Sequence, residues 1–588
     1  MKQFLMSLLG ALGAIWISVL LGGLLFVMLI VGVTVAGVSK QAPPSISDNS
    51  ILHIKLSGVV DDRQTPRDIY TEIFSRDKLE TISLNTLVEA LENSAEDDHI
   101  NGVFLECKGV SAGIAQLQTI TNSLKKFKES GKWVYAYADQ YSQPDYLISA
   151  VADSVFLNPV GMVDIHGLAS QIPFFKGFLD KIGVEMQVVK VGTYKSAVEP
   201  YILDKMSEPN REQVTLYLSQ IWGCLADSLA VNRNTTVEKV NEWANMALFS
   251  QPAEYLVENK IVDRLAYRHE VEDLLAELSD DDEPRLVNFE EYEFSGGDGK
   301  EEKHSHQIAV LYALGDITED GDGGIASEKL VPQIMDLIED DDIEALVLRV
   351  NSGGGSAFAS EQIWEALEQW KSRTKKPFYV SMGDYAASGG YYISCGADKI
   401  YAQPVTITGS IGIFGMIPNL NTLLTQKLGV NFAEVSTNSG SMPNIFKPMT
   451  PEQRAAMQGY VDRGYELFTR RCAEGRGMSV DSIKAIAEGR VWDGMTAKRI
   501  GLVDELGSLG DAVAAVAREL KLGDGEYYIK EYPKVELEWW EELYELTSKT
   551  KASIVAEYLG EAKPYYDAVK KFESMDPVQA RMIPVEIR

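Results

Sequence analysis

Two stretches of this sequence carry side chains suited to acyl transfer, and they lie far apart in the chain. In one, a β-branched run from Glu344 to Val350 leads into Asn351, Ser352, Gly353, Gly354, Gly355 and Ser356. Successive glycines expose backbone N–H groups and let a ligand approach closely, as an oxyanion site requires; a tight strand-to-helix turn has the same composition. A second strand pattern then leads into Ala386, Ala387, Ser388, Gly389 and Gly390. Such a turn can leave a hydroxyl exposed beside a free N–H. The other stretch is Gly192, Thr193, Tyr194, Lys195 and Ser196. A serine nucleophile needs a base, and an ordinary lysine, with a pKa of about 10.4, is mostly protonated at neutral pH. Lysine fills that role only when desolvated or set beside donors that lower its pKa.

An internal repeat ties the two stretches together. At a constant offset of 245, Asp139, Ile148, Ser149, Ala152, Asp153, Pro159 and Gly167 meet Asp384, Ile393, Ser394, Ala397, Asp398, Pro404 and Gly412. Upstream, INGVFL at 100–105 parallels IEALVL at 343–348, and downstream KIVD at 260–263 parallels GLVD at 501–504. The chain therefore reads as a tandem duplication. In the first half, Gly109, Val110, Ser111 and Ala112 replace the glycine turn, and Gln143, Pro144 and Asp145 replace Ser388, Gly389 and Gly390. Conversely, the offset sets Gly440 opposite Lys195. Each half holds what the other lacks, which suggests a Ser/Lys dyad assembled between domains, with Lys195 as general base for Ser388. The competing reading is a surface lysine paired with Glu199.

Elements able to position these residues are visible in both halves. Runs such as EALVLRV, EQIWEALEQWKSR and KPFYVSM alternate strand and helix periods, predicting an α/β fold with largely parallel strands and chemistry at strand ends. The expected organisation is an N-terminal transmembrane anchor at 1–40, a repeat domain with the lysine at 48–276, an acidic linker at 277–306, a repeat domain with the serine at 307–525, and a C-terminal helical extension at 526–588. That extension places Trp539, Trp540, Tyr544, Tyr558, Tyr565 and Tyr566 at amphipathic spacings. No charged residue occurs over 3–39. That run exceeds the roughly 20 residues that span a bilayer and the roughly 7–15 of a cleaved signal peptide's apolar core. With 588 residues, 45% hydrophobic content and a formal charge of −31, the remainder is globular and repels phosphate backbones, so nucleic acid is excluded as a partner. Cys107, Cys224, Cys395 and Cys472 form no CxxC pair, which argues against a disulfide framework or a zinc site.

Four ordered motifs, GTYKSAVEPY at 192–201, RVNSGGGS at 349–356, GDYAASGGYYIS at 383–394 and TGSIGIFG at 408–415, resemble the signal peptide peptidase A family in its long, duplicated form. This resemblance implies two tandem domains of the ClpP/crotonase-like fold behind a single membrane anchor. It further implies a homotetramer with a bowl-shaped cavity, held at the inner membrane with its catalytic body extracytoplasmic. The implied activity is serine endopeptidase cleavage of signal peptide remnants and other hydrophobic peptides, with no cofactor or metal. By motif, the resemblance makes Ser388 the nucleophile, Lys195 the general base, the N–H groups of Gly354 and Gly389 the oxyanion hole, and Ser410 the residue that orients the lysine. The family usually has proline where this chain has Gly353, which puts the rigidity of the oxyanion turn in question.

Three rival readings arise. Gly109-Val110-Ser111-Ala112-Gly113 is a literal G-x-S-x-G between a strand and a helix, the setting of an α/β-hydrolase elbow in an esterase. It requires a downstream histidine, yet His166, His269, His304 and His306 stand in no recognisable motif, and the repeat assigns Ser111 to the loop matching Gly354. Lys195-Ser196 mimics the end of a P-loop, but Tyr194 stands where glycine is required. A catalytically silent membrane-associated scaffold would have no need of Ser388, Lys195 and the glycine turn together.

Overall fold

The computed structural model describes residues 46–63, 81–292, 306–321, 324–435, 437–438, 440, 442–523, 525–533 and 578–582. The expected anchor at 1–40 lies outside these residues, as does most of 526–588. Helix Glu208–Asn232 is also long and apolar enough to cross a membrane. Its Val214, Tyr217, Ile221, Leu225 and Leu229 instead pack into the first domain's core.

The duplication is repeated strand for strand. In the first half Ser50–Asp61, Ile100–Ser111, Trp133–Ala138, Ser154–Leu157 and Arg264–Leu265 pair in that order, all in parallel. His306–Leu314, Ile343–Ser352, Phe378–Ala387, Lys399–Ala402 and Glu505–Leu506 do the same in the second. Central strands are continuously apolar because both faces are covered. Val103, Phe104, Leu105, Leu346, Val347 and Leu348 are all fully buried, and neighbours along each strand join different apolar clusters. Equivalent side chains tie equivalent strands: Asp153 accepts from Val134 N–H as Asp398 does from Phe378 N–H. Asp263, held by Arg233, accepts from Val155 N–H, and Asp504, held by Arg476, accepts from Ile400 N–H. The expected duplicated α/β class is thus present.

Two expected boundaries need correction. Within 277–306, helix Arg268–Ser279 continues past 276, and strand Leu286–Asn288 pairs in parallel with Ser50–Asp61. Leu286 and Val287 cover an open sheet edge, which the acidic composition around them conceals. The segment from 526 begins as a strand, not a helix: Tyr527–Tyr532 pairs in parallel with His306–Leu314. Val578–Arg581 is likewise a strand.

A third sheet interlocks the halves, in the order Ile325–Ala326, Ile317–Thr318, Gly354–Ser356, Val578–Arg581, Phe414–Asn419 and Glu185–Lys190. The last strand comes from the first half and pairs antiparallel with Phe414–Asn419 over six residue pairs. A buried ion pair adds to this junction, with Arg349 donating to Asp62 at 3.1 Å. Burial alone would raise the Asp62 carboxyl, but the charge and hydrogen bonds of Arg349 overcome this and hold it below the usual carboxylate range. Asp384, the counterpart of Asp139, accepts from the first-half Ala115 N–H at 2.8 Å.

Candidate active site

Ser388 stands where strand Phe378–Ala387 turns into helix Gly389–Ser394, with φ 57° and ψ −113°. A side chain held at positive φ is strained, and such strain persists where surrounding contacts over-determine it. Here the Ser388 N–H donates to the Gly409 carbonyl at 2.7 Å, while its own carbonyl accepts from Tyr392 N–H at 2.8 Å. Strands Phe378–Ala387 and Ile407–Gly409 are paired, so the next residue after the latter, Ser410, comes alongside. It too has positive φ, 52°, and its N–H donates to the Arg490 carbonyl at 2.7 Å.

Lys195 arrives from the other half, on the turn between strand Glu185–Lys190 and helix Glu199–Ile202. Its Nζ lies 2.7 Å from Ser388 Oγ, 3.0 Å from the Ser410 carbonyl and 3.2 Å from Ser410 Oγ, across 193 residues of sequence from Ser388. Lys195 is 1% exposed and Ser388 fully buried. Among the described residues no carboxylate pairs with Lys195, and burial pushes its amine well below the ordinary lysine value. The alternative pairing with Glu199 does not occur: Glu199 accepts from Ser207 Oγ at 2.5 Å and Asn210 Nδ2 at 3.0 Å.

Sequence reasoning missed the residues that seat the lysine. A Cβ on Gly489 would stand 2.6 Å from Lys195 Cβ, and one on Gly412 would stand 3.3 Å from Lys195 Cδ. Tyr194 N–H donates to the Glu488 carbonyl at 3.0 Å, docking the lysine turn on this backbone. Gln213 donates to the Tyr194 carbonyl and Ser196 Oγ while accepting from Val491 N–H, so one carboxamide braces both halves. Gly412 lies in the quoted TGSIG motif, whereas nothing local marks Gly489 or Gln213.

Of the glycine-turn residues, Gly389 opens its helix, so its N–H has no intrahelical acceptor. Gly354 has φ 96°, and its Cα side faces this amide: a Cβ there would stand 2.7 Å from Gly389 N. The Gly354 N–H itself donates to Ser352 Oγ at 3.1 Å. In the first half the counterpart of Ser388, Gln143, accepts from His166 N–H and Gly167 N–H and donates to the Gly167 carbonyl. Its side chain is consumed by structure. Ser111 is exposed at the end of its strand, and among the described residues no histidine hydrogen-bonds to it.

A buried hydroxyl against a buried amine whose pKa is lowered, beside glycine amides, has the groups that acyl transfer without a histidine requires. Among known families, the model of peptidase family S49 matches residues 126–281 and 371–523. The chain belongs to peptidase family S49. "Protease 4" of Salmonella typhi is 35% identical, over 80% of this chain and 78% of that protein. "Protease 4" of Haemophilus influenzae is 34% identical, over 83% and 82% of the two chains. The chloroplastic "Serine protease SPPA" of Arabidopsis thaliana is 29% identical, over 75% and 66%. Among solved structures, ClpP1 from Listeria monocytogenes aligns at 18% identity with a TM-score of 0.23, covering 34% of this chain and 92% of that one. This S49 chain is accordingly a serine peptidase, of the family anticipated from its motifs.

Proposed function

We propose that Ser388 and Lys195 form the catalytic dyad of a membrane-anchored endopeptidase that degrades signal peptide remnants and other hydrophobic peptides. The observation that carries this reading is the 2.7 Å approach of Lys195 Nζ to Ser388 Oγ in a site without a counter-ion among the described residues. Neutral Lys195 takes the Ser388 proton as Oγ attacks the peptide carbonyl. The Gly389 N–H, joined by the Gly354 N–H once it leaves Ser352 Oγ, donates to the developing oxyanion. The protonated lysine then gives its proton to the departing amine, leaving an acyl-serine. Water, deprotonated by the same lysine, releases the acid and regenerates the serine. Ser410 orients the amine through its carbonyl and hydroxyl.

Apolar uncharged sequence over 3–39 supports the anchor; placing the body on the extracytoplasmic side of the inner membrane follows from the family resemblance alone. Leu428, Phe432, Val435 and Met442 are exposed on the loop beyond strand Phe414–Asn419, which supports a homotetramer in which further copies cover them. The test is hydrolysis of a hydrophobic peptide by the full chain in detergent. Ser388→Ala and Lys195→Ala should each lose roughly 10³-fold or more in turnover, and Ser111→Ala should keep it. Retained activity in Ser388→Ala would overturn the dyad.

A further inference from the structure

Strand Val578–Arg581 lies in the groove beside Gly354 and Gly389. It pairs antiparallel with Gly354–Ser356 on one side and with Phe414 and Gly415 on the other. An extended segment thus completes the sheet between two existing edges, with main-chain hydrogen bonds that any peptide could make. The register pairs Gly354 with Arg581 and Gly355 with Ala580, and the Met582 N–H donates to the Gly353 carbonyl at 2.8 Å. The carbonyl oxygen of fully buried Ala580 lies 2.1 Å from where a Cβ on Gly354 would stand, and 3.1 Å from one on Gly389. It is therefore directed between the two glycines assigned to the oxyanion hole. With the Ala580 carbonyl taken as the one to be attacked, Ala580 precedes the bond to be cut and Arg581 follows it.

What holds the Arg581 side chain is a carboxylate. Its guanidinium donates to both carboxylate oxygens of Asp316 at 2.7 Å, and Arg581 is only 12% exposed. Both contacts come from the one nitrogen Nη2, so they select a positively charged side chain rather than the guanidinium fork. Asp316 is fixed relative to the groove, since its carbonyl accepts from Ile325 N–H at 2.8 Å and its neighbour Ile317 pairs with Gly355. Gly315 N–H anchors the other side, on the Asn351 carbonyl at 2.9 Å.

We propose that Asp316 is a specificity-determining residue: the groove takes extended peptides with a small residue before the scissile bond and a basic residue directly after it, segment 578–582 being a bound example in the same chain. This deepens the Ser388–Lys195 reading and rests on it. For such a peptide the C–N bond breaks as the Ser388 ester forms, and the basic residue leaves as a free amine carrying the proton returned by Lys195.

The test offers the full chain in detergent an equimolar mixture of two peptides that differ only in Arg or Glu after a common Val-Gln-Ala, with products read by mass spectrometry. Because both peptides compete for one site, the product ratio gives the ratio of kcat/KM values, whatever fraction of the groove the chain's own segment fills. The Arg peptide should win on the order of tenfold in wild type. Asp316→Asn should bring the ratio toward one, and Asp316→Lys should invert it. Equal cleavage by wild type, or a ratio unmoved by both substitutions, overturns the assignment of Asp316. If Ser388→Ala cuts both peptides at the wild-type rate, the dyad reading fails instead.

Discussion

At the scale of single residues, the proposed chemistry turns on a lysine that has no opposite charge beside it among the described residues. Its pKa falls because of burial, and Nζ lies within hydrogen-bond reach of three oxygens, Ser388 Oγ, the Ser410 carbonyl and Ser410 Oγ. Once deprotonated, the amine keeps two N–H groups for the Ser410 carbonyl and hydroxyl and has a lone pair for the Ser388 proton. Activity should therefore rise with pH through this lowered pKa and level off above it, with the rising limb of kcat/KM well below the ordinary lysine value of about 10.4. Stability follows the same sign. In the window between the lowered folded pKa and the unfolded value the unfolded chain binds more protons, so stability falls as pH drops through it. Lys195→Met should lose about 10²- to 10⁴-fold in activity while its thermal midpoint at neutral pH equals or exceeds that of wild type. A clearly lower midpoint would contradict a neutral amine. The two residues that the structure brings within 2.7 Å were legible in the sequence, since duplication exposed a serine and a lysine without counterparts. The state of the lysine was not, because its burial comes from segments distant in the chain.

At the scale of elements, the decisive contact is the turn carrying Lys195 against the backbone at Glu488 and Gly489. Gly489 has φ 78°, and a Cβ there would meet Lys195 Cβ and Cα at 2.6 and 2.7 Å. Gly489→Ala should cost about 1–3 kcal/mol through overpacking and strain. It should also lower kcat/KM by on the order of 10²-fold, because the amine is displaced. Gly440→Ala, with nothing within 4 Å of its Cβ, is the control and should change neither thermal midpoint nor kcat/KM. The long central strands could be read from their apolar runs. The short strand Leu286–Asn288 and the edge strand Tyr527–Tyr532 could not, since partner edges rather than their own periodicity make them strands.

At the scale of the whole molecule, the two halves are joined by a shared sheet and by the ion pair between Asp62 and Arg349, whose side chains are 3% and 5% exposed. Asp62→Ala would leave a buried guanidinium without its partner and should destabilise the fold by about 3–5 kcal/mol, seen as a lower denaturant midpoint. A midpoint within error of wild type would mean the junction does not depend on this pair. Duplication made the two-domain plan legible, yet it hid the interlock: neither Glu185–Lys190 nor Val578–Arg581 carries a local sign of its partner strand. The central claim is that Ser388 is the nucleophile and Lys195 activates it. The most direct measurement is to react the full chain with a serine-directed fluorophosphonate and map the modified residue by mass spectrometry in wild type and Lys195→Met. Modification is expected at Ser388, slowed by on the order of 10²-fold or more when the lysine is replaced. Modification at Ser111, or at Ser388 with a rate indifferent to Lys195, would contradict the claim.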